Sequence, residues 1–159
     1  IEDDANLLAV DIRSLTELTK LFLPGFIERG RGRILNVSSI ASLVPGPWQA
    51  TYFASKAYVT SLTLALSDEL RGTGVTATVV LPGGMRTGFE SAAKLEGTGL
   101  AAQLTHSPED VARRSYEAML RGRRKLIAGT PFLQRLLLRL LPFVPISFVL
   151  KVVARLHTR

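Results

Sequence analysis

Residues 33–56 read RILNVSSIASLVPGPWQATYFASK, and the order of elements in this stretch decides the fold. Arg33 to Ser38 is a short apolar run entered from Gly30-Arg31-Gly32, as a buried strand is. Leu43 to Gln49 holds two prolines and a glycine and reads as loop. A long helix follows from Thr51 to Arg71, closed by Gly72-Thr73-Gly74. The β-branched run Val75 to Leu81, stopped by Pro82-Gly83-Gly84, is a second buried strand. Strand, crossover helix and strand together form the repeating unit of a parallel sheet.

The same alternation extends outward. Upstream, Leu7, Leu8, Ile12, Leu15, Leu18 and Phe22 recur at helical spacing and predict a helix from about Ala5 to Glu28. Downstream, residues 88–105 form a mixed segment. Ser107-Pro108-Glu109-Asp110 starts a further helix: serine caps it, proline takes the first position and acids occupy the first turn. That helix is expected to run to about Leu120, with a last short strand at Lys125 to Ala128. The predicted fold is α/β, a Rossmann-like doubly wound parallel sheet. In such sheets ligands bind beyond the carboxyl ends of the strands. Ser38-Ser39 and Pro82-Gly83 stand at those ends.

Composition narrows the chemistry. The 159 residues include no cysteine, which excludes disulfides, thiol catalysis and cysteine-ligated metal. The two histidines, His106 and His157, lie far apart, so no metal site is expected. The absence of cysteine fits a reducing compartment, and a cytoplasmic location is expected, with membrane association as a second option. The net charge is +7, but it is unevenly placed. No acidic residue follows Glu117, while Arg121 to Arg159 carries nine Lys/Arg. This basic segment is apolar and lacks the interleaved aromatics of a nucleic-acid platform, so no nucleic-acid partner is expected.

One pair carries candidate chemistry. Tyr52 and Lys56 are four residues apart on the predicted helix and share a face. A phenol ordinarily titrates near 10, and a neighbouring ammonium lowers that value by favouring the phenolate. Such a pair can serve as general acid and base. Alone, the spacing is weak evidence, since a core tyrosine beside a solvated lysine has the same signature. Ser39 lies thirteen residues before Tyr52, at the end of the first strand, with Ser38 as its alternative.

Three segments in order carry a resemblance: Asn36-Val37-Ser38-Ser39 with Tyr52-Phe53-Ala54-Ser55-Lys56, Leu81-Pro82-Gly83-Gly84-Met85-Arg86-Thr87, and Leu23-Pro24-Gly25-Phe26 through Ile34. Over about residues 5–130 the chain resembles the short-chain dehydrogenase/reductase family. The resemblance implies an oxidoreductase moving hydride between NAD or NADP and a carbonyl or alcohol substrate. It implies that Tyr52 is the acid/base, that Lys56 holds the nicotinamide ribose, and that Ser39 donates to the substrate oxygen. It also implies that Pro82, Gly83 and Met85 lie against the nicotinamide, and that Thr87 meets its carboxamide or the pyrophosphate. A homo-oligomeric full-length enzyme is implied as well.

Two departures stand out. Asp11 occupies the position, twenty-eight residues before Ser39, where the family has an asparagine that holds a proton-relaying water. A carboxylate accepts but does not donate as an amide does, and it brings negative charge near Lys56. Gly84-Met85 replaces the more usual Pro or Phe followed by Val or Ile. The family's glycine-rich phosphate loop, Gly-x-x-x-Gly-x-Gly, does not occur in the 159 residues, and the chain starts Ile1-Glu2-Asp3-Asp4. The expectation is therefore the C-terminal portion of a longer enzyme, inactive on its own, with residues 1–130 from the Rossmann-type domain and 131–159 as a tail. The alternative is a non-catalytic fragment or relative that binds a partner or a membrane surface.

In the tail, Leu133, Leu136, Leu137, Leu140 and Leu141 line one helical side, and Phe148, Val149, Val152, Val153 and Leu156 form a second pattern. The longest uncharged run, Leu140 to Leu150, is too short to span a bilayer. The tail reads as an interfacial anchor or a lid over a lipophilic substrate, or else as a helix pair packed on its own domain or a subunit. The packed reading is slightly preferred, because members of the family often end in such a segment.

Overall fold

The structure, a computed structural model, describes residues 1–85 and 107–157. The expected mixed segment at 88–105, Thr87 and His106 fall outside the described residues.

The first helical stretch is longer than its apolar spacing predicts and is not uniform. Helix α1 (Glu2–Leu8) passes into a π-helical turn (Ala9–Ser14) and then into α2 (Leu15–Glu28) without leaving helical backbone. The Ser14 hydroxyl donates to the Ala9 carbonyl at 2.9 Å, occupying an acceptor at the widened turn. Strand β1 (Gly32–Val37) is followed by a 3-10 turn (Ile40–Leu43) and helix α3 (Ala50–Glu69). Strand β2 (Val75–Pro82), helix α4 (Pro108–Leu120) and strand β3 (Lys125–Ala128) complete the alternation. The 3-10 turn takes in Leu43, so the loop expected from Leu43 begins one residue later, at Val44; Ser39 caps that turn by accepting from the Ala41 N–H at 3.1 Å.

The three strands form one parallel sheet in the order β1-β2-β3. Val37 lies opposite Val80, and Pro82 opposite Ala128, so the carboxyl ends of all three strands finish along one edge. Alternation along each strand assigns the two faces. Ile34 and Ala77 pack with Val75, Leu66 and Leu70, and with Leu23 and Phe26 of α2, under α3. On the opposite face Val80 and Ala128 pack with Val111 of α4, flanked by Leu35, Leu126 and Met85. This is the doubly wound arrangement expected from the sequence. Among the described residues β1 pairs only with β2, and no strand lies beyond it. Part of the stripe that predicts the first helix therefore has no sheet beneath it: Leu8, Leu18 and Phe22 are exposed.

A polar seam fixes α3 on β1. Buried Asn36 donates to Thr63 Oγ1 at 3.0 Å, and Thr63 donates to the Val59 carbonyl at 2.7 Å. Two residues on, the same strand face presents Ser38, which donates to the Lys56 carbonyl at 2.7 Å and lies 2.8 Å from the Thr60 hydroxyl. These groups are buried, so each lost partner would leave an unsolvated polar atom.

After β3 the chain turns through Gly129 into helix α5 (Phe132–Leu140), a 3-10 turn (Leu141–Phe143) and helix α6 (Ile146–His157). Val149 is buried, while Leu138 and Val144 line a hollow of about 260 Å³ against Leu43, Pro45 and Ile127. The pair therefore packs on the body through one face only.

Two glycines in the turn into β2 give a paired test. Gly72 and Gly74 both have left-handed backbone, at φ 81° and 77°. A Cβ on Gly72 meets open space, whereas one on Gly74 would collide with the Gly30 carbonyl. Gly72→Ala is expected to cost about 1–2 kcal/mol, the left-handed penalty alone. Gly74→Ala should cost about 1–3 kcal/mol more, because backbone must move. Urea denaturation of the two variants side by side checks the difference.

Candidate active site

Three elements converge at the carboxyl edge of the sheet. Strand β1 ends into Ser38 and Ser39, the first turn of α3 carries Tyr52, and the π turn carries Asp11. Tyr52 and Lys56 do share one face of α3: the Lys56 ammonium stands 5.6 Å from the Tyr52 ring centroid, within cation-π range. Tyr52 is half-buried and hydrogen-bonded to the Ser39 side chain. The Ser39 oxygen already accepts from the Ala41 N–H at 3.1 Å, which leaves its own proton for an oxygen in front of it.

The two serines are thereby separated. Ser38 is committed to the seam, bonded to the Lys56 carbonyl and near Thr60. Ser39 is the serine that bonds the phenol, as the thirteen-residue spacing anticipates.

Asp11 does more than stand where an asparagine is expected. Its Oδ2 lies 2.8 Å from Lys56 Nζ, with side chains only 15% and 19% exposed for Lys56 and Asp11 respectively. The same oxygen accepts from the fully buried Ser55 hydroxyl at 2.9 Å, and Ser55 also sits 2.9 Å from the Tyr52 carbonyl. Sequence reading missed Ser55. Its place one residue before Lys56 carries no helical-face signal toward Asp11, because the two are linked only through packing of separate helices.

This geometry corrects one expectation. Lys56 was expected to lower the Tyr52 phenol, but the phenol is held above its ordinary value. Burial is the main cause; the Ser39 hydrogen bond pulls the other way, and the negative charge of Asp11 adds to the rise. The physical reason is burial first, with the Asp11 carboxylate, paired to Lys56, adding to it.

The second strand end supplies the other wall. Pro82 is buried, and the Gly83 N–H donates to the Ala128 carbonyl at 2.7 Å. A side chain on Gly83 would collide with the Gly129 carbonyl and Thr130. Met85 packs against the cluster under α4. Thr87 lies outside the described residues. Trp48, between the 3-10 turn and α3, is the one non-glycine with positive φ among the described residues, at 71°, and its side chain is exposed.

Comparison with known proteins places this constellation. Residues 2–96 match the sequence model of the family described as short chain dehydrogenase. The ketoacyl reductase HetN of Nostoc sp. (strain PCC 7120) is 38% identical over 117 residues, covering 73% of this chain and 38% of that protein. A very-long-chain 3-oxoacyl-CoA reductase of Laccaria bicolor is 37% identical over 75 residues, covering 47% of this chain and 22% of that protein. Among solved structures, a 7beta-hydroxysteroid dehydrogenase superposes with a TM-score of 0.75 at 22% identity, over 92% of this chain and 56% of that one. A short chain dehydrogenase/reductase from Burkholderia phymatum in complex with NAD gives 0.68 at 25% identity, over 82% and 54%. One from Sphingobium yanoikuyae in complex with NADPH gives 0.72 at 24%, over 86% and 52%. The chain thus spans well under half the length of these two curated relatives, and a little over half of these three structures. With a matched family model over residues 2–96 and a parallel sheet that superposes on its members, the chain belongs to the short chain dehydrogenase family.

Proposed function

We propose that this chain carries the catalytic part of an oxidoreductase acting between a carbonyl and its alcohol, with NAD or NADP as partner in hydride transfer. The observation that carries the reading is the Ser39–Tyr52 hydrogen bond standing beside the Lys56–Asp11 ion pair at the carboxyl edge of a parallel sheet. Tyr52 is the acid/base, Ser39 the donor to the substrate oxygen, Lys56 the cation behind them, and Asp11 the residue that positions Lys56.

The residues present suit the nicotinamide end of such a cofactor. Lys56 and Tyr52 offer an ammonium and a phenol one helical turn apart, a donor set for vicinal ribose hydroxyls. Pro82, Gly83 and Met85 supply a wall at the end of β2, where Gly83 lets the chain pack closely on Gly129 and Thr130. When bound, the nicotinamide ring supplies or accepts the hydride. Solved relatives with NADPH and with NAD support both cofactors.

Proton handling follows from the chain's own groups. A phenol raised above its ordinary value is fully protonated near neutral pH, so Tyr52 is set to give a proton to a carbonyl oxygen. The phenolate left behind is stabilised by the Ser39 hydroxyl. In the opposite direction Tyr52 must first lose its proton, and alcohol oxidation therefore rises with pH.

An apolar hollow of about 530 Å³, lined by Leu43, Val44, Pro45, Phe53, Ala57 and Leu150, opens on another face of α3 from the one that carries Tyr52 and Lys56. The ketoacyl and 3-oxoacyl-CoA reductases among the relatives support a lipophilic carbonyl substrate.

Tyr52→Phe in the full-length protein keeps the ring and removes the proton. Turnover should fall at least about 100-fold with cofactor affinity nearly unchanged, measured by steady-state rates and cofactor fluorescence titration. A variant that retains most of its rate would exclude Tyr52 as the acid/base.

The two serines separate by readout. Ser39→Ala should lower kcat by about 100-fold or more with little change in stability. Ser38→Ala should instead cost about 1–3 kcal/mol in urea denaturation, because it strands the Lys56 carbonyl and disturbs Thr60.

Asp11→Asn tests the electrostatics. The carboxylate raises the phenol, so its removal lowers the Tyr52 pKa, and freeing Lys56 lowers it further. Alcohol oxidation should then reach its plateau at lower pH, with the rate kept or raised. A pH–rate profile of both proteins checks the sign; a shift to higher pH contradicts it.

A further inference from the structure

We infer that the C-terminal helix pair docks the protein on an anionic lipid surface, with the exposed stripe of α5 and Phe143 as the inserted face. Amphipathic surface helices ordinarily turn their apolar stripe inward. Here the stripe Leu133, Leu136, Leu137 and Leu140, at spacings i, i+3, i+4 and i+7, is exposed. Phe132 and Phe143, at 77% and 84% exposure, extend it at both ends. The opposite side of α5 is used already, since Leu138 lines the hollow against Leu43, Pro45 and Ile127. The body thus fixes the helix by one face and presents the apolar one outward.

The charge pattern selects the occupant. Arg139 is exposed on the flank of α5, and Lys151 and Arg155 are exposed on α6 near Phe148 and Val152. No carboxylate side chain follows Glu117, against nine Lys/Arg from Arg121 onward. An apolar stripe bordered only by cations matches acyl chains beneath anionic headgroups. A second copy fits less well: the tail carries cations and no acid, so a tail-on-tail contact gathers charge of one sign. No described helix is long and apolar enough to cross a membrane, so the pair lies in the interface plane. Lipid binding needs neither cofactor nor turnover, and so it stands or falls apart from the catalytic reading.

The test is co-sedimentation of the full-length protein with vesicles of phosphatidylcholine alone and of phosphatidylcholine and phosphatidylserine in equal parts. Binding is expected to the anionic vesicles, weakened by salt, and not to the neutral ones. Replacing Arg139 and Lys151 with glutamine should lower the partition coefficient about five-fold for each charge removed. Leu136→Ser with Leu140→Ser, or Phe143→Ser alone in the turn, should abolish binding. Because these side chains are exposed, urea denaturation should show unchanged stability. Failure to bind anionic vesicles, or binding indifferent to all these variants, overturns the inference. So does a change of oligomeric state in the leucine variants without any vesicle binding, which would assign the stripe to a contact between copies.

Discussion

Helix α3 is fixed against the strand and helices around it by buried polar side chains that bond across to them. Its Thr63 meets Asn36 and its Thr60 meets Ser38, while the Lys56 carbonyl takes the Ser38 proton. On its other flank Ser55 and Lys56 converge on one oxygen of Asp11. Apolar contacts under Leu66 and Leu70 supply the bulk of the attraction, but they tolerate sliding. Hydrogen bonds between buried groups do not, because a shift of a fraction of an ångström leaves them unpaired. The seam therefore sets the height of α3 against β1, and with it the distance between Ser39 and Tyr52.

The same seam governs the electrostatics of the site. Tyr52 sits where burial disfavours its phenolate, and the nearest ammonium is already matched by Asp11. Ser39 is the group left to favour the anion. A half-buried ion pair contributes modestly to stability when intact, yet it orients both partners firmly. Asp11 lies within the π turn, and from there its carboxylate reaches Lys56 and Ser55 of α3. Backbone irregularity and ion pair belong to one arrangement.

The tail follows a different rule from the body. Body helices bury their apolar stripes against the sheet, whereas α5 shows its stripe to the outside and packs through Leu138. The fold thereby carries two surfaces with separate chemistry: a polar cleft at the strand ends, and an apolar strip edged by cations. Leu150 of α6 lines an apolar hollow with Leu43 and Phe53 and so seats α6 on the body.

Much of this was legible from local pattern. Period and breakers located β1, β2, β3, α3 and the Ser107-capped α4, because strand burial, helix caps and glycine stops act within a few residues. Ser39, Tyr52 and Lys56 could be named because a four-residue helical spacing and a strand end are themselves local facts. The contact between Ser55 and Asp11 was not legible: it spans 44 residues and depends on how two helices pack. The upward shift of Tyr52 was missed for the same reason, since spacing shows Lys56 beside the phenol but not the carboxylate that matches its charge. The sequence also showed an apolar stripe in the tail without showing its direction. Sequence by itself determined which residues form elements and which face each element shares. Tertiary structure alone decided where those faces point and which charges meet, because burial and Coulomb energy depend on neighbours that the chain brings together only when it packs.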